Sequence, residues 1–240
     1  MSKVALVTGG TRGIGSAIST KLKDSGYKVI ANYASNDESA KKFSESENID
    51  VMKWDVSNFE DCTKAINEIY EKFSNIDILV NNAGITRDAP LHKMSLENWE
   101  KVISVNLSSV FNLTSLTINK MRDNGFGRII NISSVNGQKG QFGQTNYAAS
   151  KSALIGFSKS LALESASKGI TSNVICPGYI NTEMVAAIRE DILKGIIDTI
   201  PSKRLGESKE IAEMVDYLIS EKASYINGAT FSINGGLWMD

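Results

Sequence analysis

The stretch that decides the fold reads Lys3-Val4-Ala5-Leu6-Val7-Thr8-Gly9-Gly10-Thr11-Arg12-Gly13-Ile14-Gly15. Its first part, Lys3–Thr8, carries a continuous apolar run, which predicts a strand buried on both faces. The spaced glycines Gly9-x3-Gly13-x-Gly15 follow the strand directly, and a helical pattern starts at about Gly13. Glycines at such a turn let the backbone approach an anion at the helix N-terminus, where free N–H groups and the helix dipole attract negative charge. The stretch predicts the start of a parallel βαβ unit with a phosphate-binding turn, and the alternative is a tight turn without a ligand.

The alternation of strand and helix continues along the whole chain. Strands are predicted at Lys3–Thr8, Lys28–Tyr33, Asp50–Lys53, Ile76–Asn81, Arg128–Ile132, Thr171–Cys176 and Thr230–Ile233. Helices are predicted at Gly13–Ser25, Asp37–Glu47, Asn58–Phe73, Leu96–Met121, Asn146–Lys168 and Lys209–Ile219. This spacing is typical of parallel strands joined by right-handed helical crossovers. We expect one α/β domain over residues 1–240, with a doubly wound, Rossmann-type, seven-stranded parallel sheet and helices on both faces.

Composition excludes several classes of protein. The chain has 240 residues, of which 42% are hydrophobic, and 26 Lys plus Arg balance 27 Asp plus Glu. That balance argues against a non-specific nucleic-acid binder, which needs surplus positive charge. The N-terminal apolar run is too short for a secretion signal, and no run reaches the length of a membrane span, so we expect a cytoplasmic protein. Cys62, Cys176 and the single His92 predict neither a disulfide framework nor a metal site.

The end of the second strand bears on the choice of nicotinamide cofactor. An enzyme that uses NAD usually places an acidic residue there, to bind the ribose 2′-hydroxyl. Here no carboxylate comes before Asp37, whereas Arg12 in the glycine turn can meet a 2′-phosphate with its guanidinium group. Asn32 and Ser35 can add hydrogen bonds. The sequence favours NADP(H), although no Lys or Arg occurs from Asn32 to Ala40.

Tyr147 and Lys151 are the candidate catalytic pair, because the i, i+4 spacing places them on one face of the Asn146–Lys168 helix. Reduction of a ketone needs a proton at the developing alkoxide, and a phenol can supply it. We expect the lysine ammonium to stabilise the phenolate and lower the phenol pKa. Ser134, at the end of the Arg128–Ile132 strand, can hold the carbonyl oxygen. The alternative is an amphipathic helix with a surface lysine and a half-buried tyrosine.

Together, several motifs resemble the short-chain dehydrogenase/reductase family, over the whole chain. They are Thr8-Gly9-Gly10-Thr11-Arg12-Gly13-Ile14-Gly15, Asn81-Asn82-Ala83-Gly84, Ser134, Tyr147-x3-Lys151, Pro177-Gly178 and Asn234-Gly235-Gly236. The resemblance implies that Tyr147 donates the proton and that Lys151 activates it and binds ribose. It implies that Ser134 orients the carbonyl and that Asn106 holds a proton-relay water.

Residue reasoning and resemblance together give the expected contacts of the NADPH (NADP+) cofactor. They are Gly9, Thr11, Arg12, Gly13, Ile14, Gly15, Asn32, Ser35, Asp55, Val56, Asn82, Ala83, Gly84, Tyr147, Lys151, Pro177, Gly178, Ile180 and Thr182.

A narrower resemblance, to the acetoacetyl-CoA reductases of polyhydroxybutyrate synthesis, comes from 133–147, 85–88, 177–180, 184–189 and 200–206. It implies reduction of a short 3-oxoacyl-CoA to the (R)-3-hydroxy product, and a homotetramer. The substrate contacts it implies are Asp88, Gln141, Phe142, Gly143, Gln144, Gly178, Tyr179 and Arg189. The alternative is that the loop glutamines and Arg189 are solvated surface residues. The relatives carry a basic residue after the second strand that this chain lacks. An amphipathic segment, Met184–Ile200 within about 182–205, is expected to close as a lid over the acyl group.

Two alternatives stay open. A 3-oxoacyl-(acyl-carrier-protein) reductase has the same chemistry and should offer its acidic partner a basic patch at the mouth of the site. The candidates for that patch are Arg122, Arg128 and Lys168, diluted by Asp123 and Gly125. The other alternative, an NADP-binding sensor without turnover, is disfavoured by the intact Ser134, Tyr147 and Lys151.

Overall fold

A computed structural model describes residues 2–186 and 188–239 of the chain. Nine strands lie in this part: β1 Val4–Val7, β2 Lys28–Tyr33, β3 Asp50–Lys53, β4 Ile78–Asn81, β5 Gly127–Ile132, β6 Ile170–Pro177, β7 Ile180–Asn181, β8 Gly206–Glu207 and β9 Thr230–Ile233. The α-helices are α1 Gly13–Asp24, α2 Asp37–Glu47, α3 Phe59–Phe73, α4 Leu96–Ile103, α5 Ser109–Asn124, α6 Val135–Lys139, α7 Thr145–Ser165, α8 Glu183–Ala186, α9 Glu190–Thr199 and α10 Ser208–Ile219.

Seven strands form one parallel sheet in the order β3-β2-β1-β4-β5-β6-β9. The doubly wound seven-stranded sheet predicted from the sequence is confirmed. The direction of winding reverses between β1 and β4, and in such sheets ligands bind beyond the carboxyl ends of the strands at this point. The glycine turn follows β1, Asn82 follows β4 and Ser133 follows β5, so all three meet at this edge. We call it the carboxyl edge.

Two apolar layers cover the faces of the sheet. On one face, Ile18 and Leu22 of α1 pack with Val215 and Leu218 of α10, and all four are fully buried. On the other face, side chains of α3, α5 and α7 pack against the sheet, including Ile66, Ile69, Leu113, Met121 and Leu161. Each such side chain contributes about 1.5–3 kcal/mol when it leaves water. The two layers hold the carboxyl edge rigid.

The predicted helix Leu96–Met121 is wrong in two respects. It continues to Asn124, and its centre, Ser104–Ser108, is a π-helical turn between α4 and α5. The side chain of Asn106 in this turn bonds both backbone groups of Ile85: Oδ1 accepts from N at 2.8 Å and Nδ2 donates to O at 3.0 Å. This long-range pairing stabilises the widened turn, which the apolar pattern does not reveal.

The segment Met184–Ile200 is divided rather than one helix. Helices α8 and α9 occupy it, Arg189 precedes α9, and Ala187 lies outside the described residues. No residue of α9 is buried, which agrees with a helix on the surface of the site. The short helix α6 and the small sheet of β7 and β8 were not predicted. Among the described helices, none combines the length and the apolar character needed to cross a membrane.

Candidate active site

The glycine turn after β1 is shaped by close backbone contacts. Gly9 and Gly13 have φ angles of 58° and 55°, which favour glycine. A Cβ on Gly15 would overlap the carbonyl oxygen of Gly9, so the third glycine is required by packing. Thr8 Oγ1 accepts from the backbone N of Asn82 and of Ala83, both at 2.9 Å, which joins the turn to the end of β4.

The N-terminus of α1 fits the phosphates of a dinucleotide. The helix has no acidic residue in its first turn, and within the described residues no side chain caps it. Its partial positive charge is therefore available to an anion. Thr182 lies opposite, because its methyl carbon is 3.6 Å from the position that a Cβ on Gly13 would take. The glycine turn and Thr182 therefore face each other at the N-terminus of α1.

The end of β2 differs from the sequence-based expectation. Asn32 is 2% exposed, and its side chain accepts from Gly9 N at 3.3 Å and donates to Trp54 O at 3.0 Å. It supports the glycine turn from within, so we leave it out of the proposed cofactor contacts. Arg12 and Ser35 are exposed beside it, and Arg12 has no ion pair with another described residue.

A cation that sequence reasoning missed lies at the same place. The register of β2 and β3 pairs Tyr33 with Lys53, and Lys53 Nζ is 2.8 Å from Asp37 Oδ2. Lys53 holds the pKa of Asp37 below its usual value, with a smaller effect in the same direction from the Tyr33 hydroxyl. Since Lys53 is neutralised by Asp37, Arg12 is the better candidate for a 2′-phosphate.

Ser134, Tyr147 and Lys151 converge at the carboxyl edge. Ser134 is the N-cap of α6, with its Oγ accepting from Asn136 N at 3.1 Å, and its hydroxyl is close enough to the Tyr147 phenol to lower the pKa of that group. Lys151 Nζ lies 5.9 Å from the centre of the Tyr147 ring. Ser133 Oγ donates to Lys151 O at 2.7 Å, which ties the end of β5 to α7. The triad predicted from spacing is thus assembled by one strand end and one helix.

Burial shifts the two titrating groups in opposite directions. The pKa of the Tyr147 phenol is raised, mainly by burial and further by the charge of Asp88, while the Ser134 hydroxyl acts the other way. Burial lowers the pKa of Lys151 to about 8. Lys151 is not among the groups that shift the Tyr147 pKa in this structure, where its ammonium donates to Ile132 O at 2.7 Å, and its role as activator of the phenol stays a prediction. At neutral pH the phenol is a proton donor.

Asn106 and Gly84 complete this part of the site. A Cβ on Gly84 would lie 3.3 Å from Lys151 Nζ and 3.4 Å from Asn106 Oδ1, so all three meet at one point. Asn106 Nδ2 also donates to Ser150 Oγ at 3.2 Å. The π-helical turn therefore places Asn106 near Lys151, and its role in holding a proton-relay water stays a prediction.

On the substrate side, a cavity of about 480 Å³ lies between α9 and the loop after α6. It is lined by Lys139, Gln141, Tyr179, Ile192, Gly195, Ile196, Thr199 and Leu237. Two of the expected substrate contacts, Gln141 and Tyr179, face this cavity. Lys139 was missed by sequence reasoning; its Nζ donates to Gln141 Oε1 at 3.0 Å. The sequence signal for Lys139 was its position five residues after Ser134, just after the end of β5.

The other expected substrate residues are distributed around the mouth. Gln144 bonds Asp88, and Gly143 O accepts from Ala89 N at 2.8 Å, so the two loops form one wall. Phe142 is 85% exposed. Arg189 is also exposed, and its guanidinium group forms a two-bond ion pair with Asp191, which reduces the charge it can offer a phosphate.

The remaining expected cofactor residues lie along the same edge. Asp55 Oδ1 accepts from Ser57 N and Oγ just after β3, and Val56 follows it. Pro177 ends β6, and Gly178 N donates to Ile233 O at 2.9 Å. A Cβ on Gly178 would lie 2.8 Å from the backbone of Asn234, so the C-terminal segment packs against this turn. Ile180 is buried in β7.

The suggested basic patch of Arg122, Arg128 and Lys168 is not at the mouth. Arg128 is 3% exposed, stacks over Phe126 and is the second residue of β5. Arg122 and Lys168 precede β5 and β6, so they lie at the amino edge of the sheet, opposite to Ser134 of the same chain.

Comparisons with known proteins agree with this geometry. A family model described as enoyl-(acyl carrier protein) reductase matches residues 9–238. Proteins named acetoacetyl-CoA reductase from Rhizobium meliloti and Shinella zoogloeoides are 57% and 56% identical over 237 residues, covering 98% of this chain and of each relative. A 3-oxoacyl-(acyl-carrier-protein) reductase from Salmonella typhimurium is 46% identical over 239 residues, 99% of this chain and 98% of its own. The chain therefore belongs to the short-chain dehydrogenase/reductase family of oxidoreductases.

Proposed function

We propose that this protein reduces the 3-keto group of acetoacetyl-CoA with NADPH and releases (R)-3-hydroxybutyryl-CoA. The observation that carries the proposal is the placement of the Ser134 hydroxyl beside the Tyr147 phenol, with Lys151 one helical turn away. The choice of acetoacetyl-CoA as the proposed substrate rests on the names of the relatives. The (R) configuration, the homotetramer and the cytoplasmic location are implied by the resemblance alone and stay predictions.

Nicotinamide supplies the hydride when the cofactor is bound, and the chain's own groups handle the proton. Ser134 and Tyr147 each present a hydroxyl that can donate to the ketone oxygen as its negative charge grows. Tyr147 then gives up its proton to the alkoxide. The Lys151 ammonium stabilises the phenolate that remains, and Asn106 beside it can hold a water that returns the proton.

For the cofactor we propose the glycine turn and the N-terminus of α1 as the pyrophosphate site, and Arg12 with Ser35 as the 2′-phosphate site. The unpaired, exposed guanidinium group of Arg12 supports NADPH over NADH, because charge-assisted bonds to phosphate are strong. The residues Asn82–Gly84 and Pro177–Thr182 flank the space between this turn and Tyr147.

For the substrate we propose that the cavity under α9 takes the thioester arm and that the segment of about 182–205 is its lid. Ile192 and Ile196 give the cavity an apolar wall, while Gln141, Tyr179 and Lys139 offer hydrogen-bond donors. An apolar wall that excludes water favours hydride transfer over side reactions.

Reduction of a carrier-protein thioester is the second candidate, since a relative of that name is 46% identical. Both carriers present the same arm, so the cavity accepts either. We favour coenzyme A because Arg122, Arg128 and Lys168 lie at the amino edge and supply no patch for an acidic protein at the mouth of the same chain.

The experiment that tests the reaction is Tyr147→Phe. Only the hydroxyl donates the proton, so kcat for acetoacetyl-CoA should fall by about 10²–10⁴-fold while NADPH binding, measured by nucleotide fluorescence, is retained. Tyr225→Phe is the matched control, because Tyr225 is fully exposed and lies away from the site. A Tyr147→Phe variant with near-native kcat would show that the proton comes from elsewhere.

A further inference from the structure

Four polar residues from three segments form one continuous hydrogen-bonded chain beside the catalytic groups. Gln144 Nε2 donates to Asp88 Oδ2 at 2.8 Å, and Asn136 Nδ2 donates to Gln144 Oε1 at 3.0 Å. The backbone N of Asn136 then donates to Ser134 Oγ at 3.1 Å. The chain runs from the carboxylate in the loop after β4 to the serine after β5, and Asn136 is its centre.

Asn136 is buried in a place where an amide is costly. It is 8% exposed, and its Oδ1 has no hydrogen-bond partner among the described residues. It cannot move away, because the next residue, Gly137, packs directly on the backbone of Lys151. A buried acceptor without a partner is unfavourable, so stability alone does not explain this side chain.

The two ends of the Gln144 amide are chemically different, and their neighbours distinguish them. Asn136 presents an N–H group to the oxygen, and Asp88 presents a carboxylate to the nitrogen. The reverse orientation would place the Gln144 oxygen against the Asp88 carboxylate. Gln144 is also the N-cap residue of α7 and lies three residues before Tyr147, so its position bears on the first turn of that helix.

We propose that Asn136 is a positioning residue, which fixes the orientation of the Gln144 amide between itself and Asp88 and thereby the start of the helix that carries Tyr147. The Asn136 side chain acts through its bond to Gln144, whereas its bond to the Ser134 hydroxyl comes from the backbone N and does not depend on the side chain. The inference rests on the proposed ketone reduction, because its effect is measured on that reaction.

The test reverses the two hydrogen bonds of the Gln144 side chain. In Asn136→Asp the N–H group is lost, so the Gln144 amide has to turn round and its oxygen meets the Asp88 carboxylate. In the double variant with Asp88→Asn, residue 88 can donate to that oxygen and residue 136 can accept from the nitrogen. We expect kcat to fall about tenfold or more in Asn136→Asp, since bonds to charged groups contribute about 1.5–3 kcal/mol. The double variant should return to within a few-fold of Asp88→Asn alone.

A second pair of variants reaches the same answer without changing the buried position. Gln144→Glu keeps the acceptor for Asn136 but places two carboxylates together, and Asp88→Asn should again restore kcat. Asn124→Asp makes the same chemical change at an exposed site at the end of α5 and should leave kcat unaltered. Melting temperatures and NADPH affinities of all variants show whether each one is folded.

The possible results distinguish a failure of the positioning role from a failure of the proposed function. Rescue in either folded pair supports the positioning role, because residues 88 and 136 are joined only through Gln144 in this chain of bonds. Near-native kcat in Asn136→Asp, or losses in both pairs that Asp88→Asn does not relieve, would overturn it. A wild-type protein that does not reduce acetoacetyl-CoA would instead overturn the proposed function.

Discussion

At position 151 the protein buries a cation that its chemistry needs. Lys151 is 4% exposed, and burial lowers its pKa to about 8 from an ordinary value near 10.5. In the unfolded chain the Lys151 ammonium keeps its proton until the pH approaches its ordinary pKa near 10.5. The cost of burying the charge is therefore fully present below pH about 8, and it fades as the pH rises towards about 10.5.

We expect Lys151→Met to have a higher free energy of unfolding than wild type, with the largest difference at about pH 7 and the smallest at about pH 10. The variant should also lose activity. The variant leaves Ile132 O without its donor, but that loss does not depend on pH. Urea unfolding of both proteins at the two pH values measures the difference. Lys168→Met, at an exposed position, serves as the control. A difference that stays constant with pH would contradict the burial of a charged Lys151.

A substitution at Arg12 tests whether the protein prefers NADPH to NADH. Arg12→Ala should weaken NADPH binding about ten- to a hundredfold and NADH binding far less, because only NADPH has the phosphate that the guanidinium group can bind. Titration of each nucleotide against the variant measures both affinities. Equal losses would mean that Arg12 only supports the glycine turn.

Among the elements near the site, α6 and α7 are in close contact. A Cβ on Gly137 would lie 2.9 Å from the carbonyl carbon and the Cβ of Lys151, and backbone atoms there cannot move aside. Ser133 and Gly137 thus hold α7 by a hydrogen bond and by a close approach, respectively.

Gly137→Ala should therefore lower both the free energy of unfolding, by about 1–3 kcal/mol, and kcat, since α6 has to shift away from Lys151. Gly156 on α7 has open space around the same position, so Gly156→Ala should instead stabilise the helix by about 0.5–1 kcal/mol and leave kcat unchanged. Chemical denaturation and steady-state rates distinguish the two. Equal effects at both glycines would mean that the α6–α7 contact can accommodate an added methyl group.

On the scale of the whole molecule, the distribution of charge decides which carrier is favoured. The net charge is −1, and Arg122, Arg128 and Lys168 lie at the edge of the sheet remote from Tyr147. Near the mouth, Arg189 is paired with Asp191. An acidic carrier protein gains little attraction from such a surface.

We expect kcat/KM for acetoacetyl-CoA to exceed that for the carrier-protein thioester at physiological salt, with only a small effect of salt on the second. Rates for both substrates over a range of salt concentrations test this, because steering by exposed charges is screened. A strong preference for the carrier protein that disappears at high salt would favour the second candidate function.

The features that depend on a local pattern of residues could be predicted from the amino-acid sequence. A continuous apolar strand followed by Gly9, Gly13 and Gly15 specifies the turn, because glycine favours the positive φ of the first two and allows the close backbone approach at the third. The four-residue spacing of Tyr147 and Lys151 specifies one helical face. The order of strands and helices then limits the topology to a doubly wound sheet.

The partners of those residues, by contrast, follow from the folding of distant segments against one another. Asn32 turns inward to Gly9, Lys53 reaches Asp37 through the register of β2 and β3, and the amide of Asn136 meets that of Gln144. The π-helical turn at Asn106 depends on a bond to Ile85, 21 residues away. Periodicity along a chain reports which face a residue occupies, but these pairings depend on strand register and helix packing between distant segments, which no local pattern encodes.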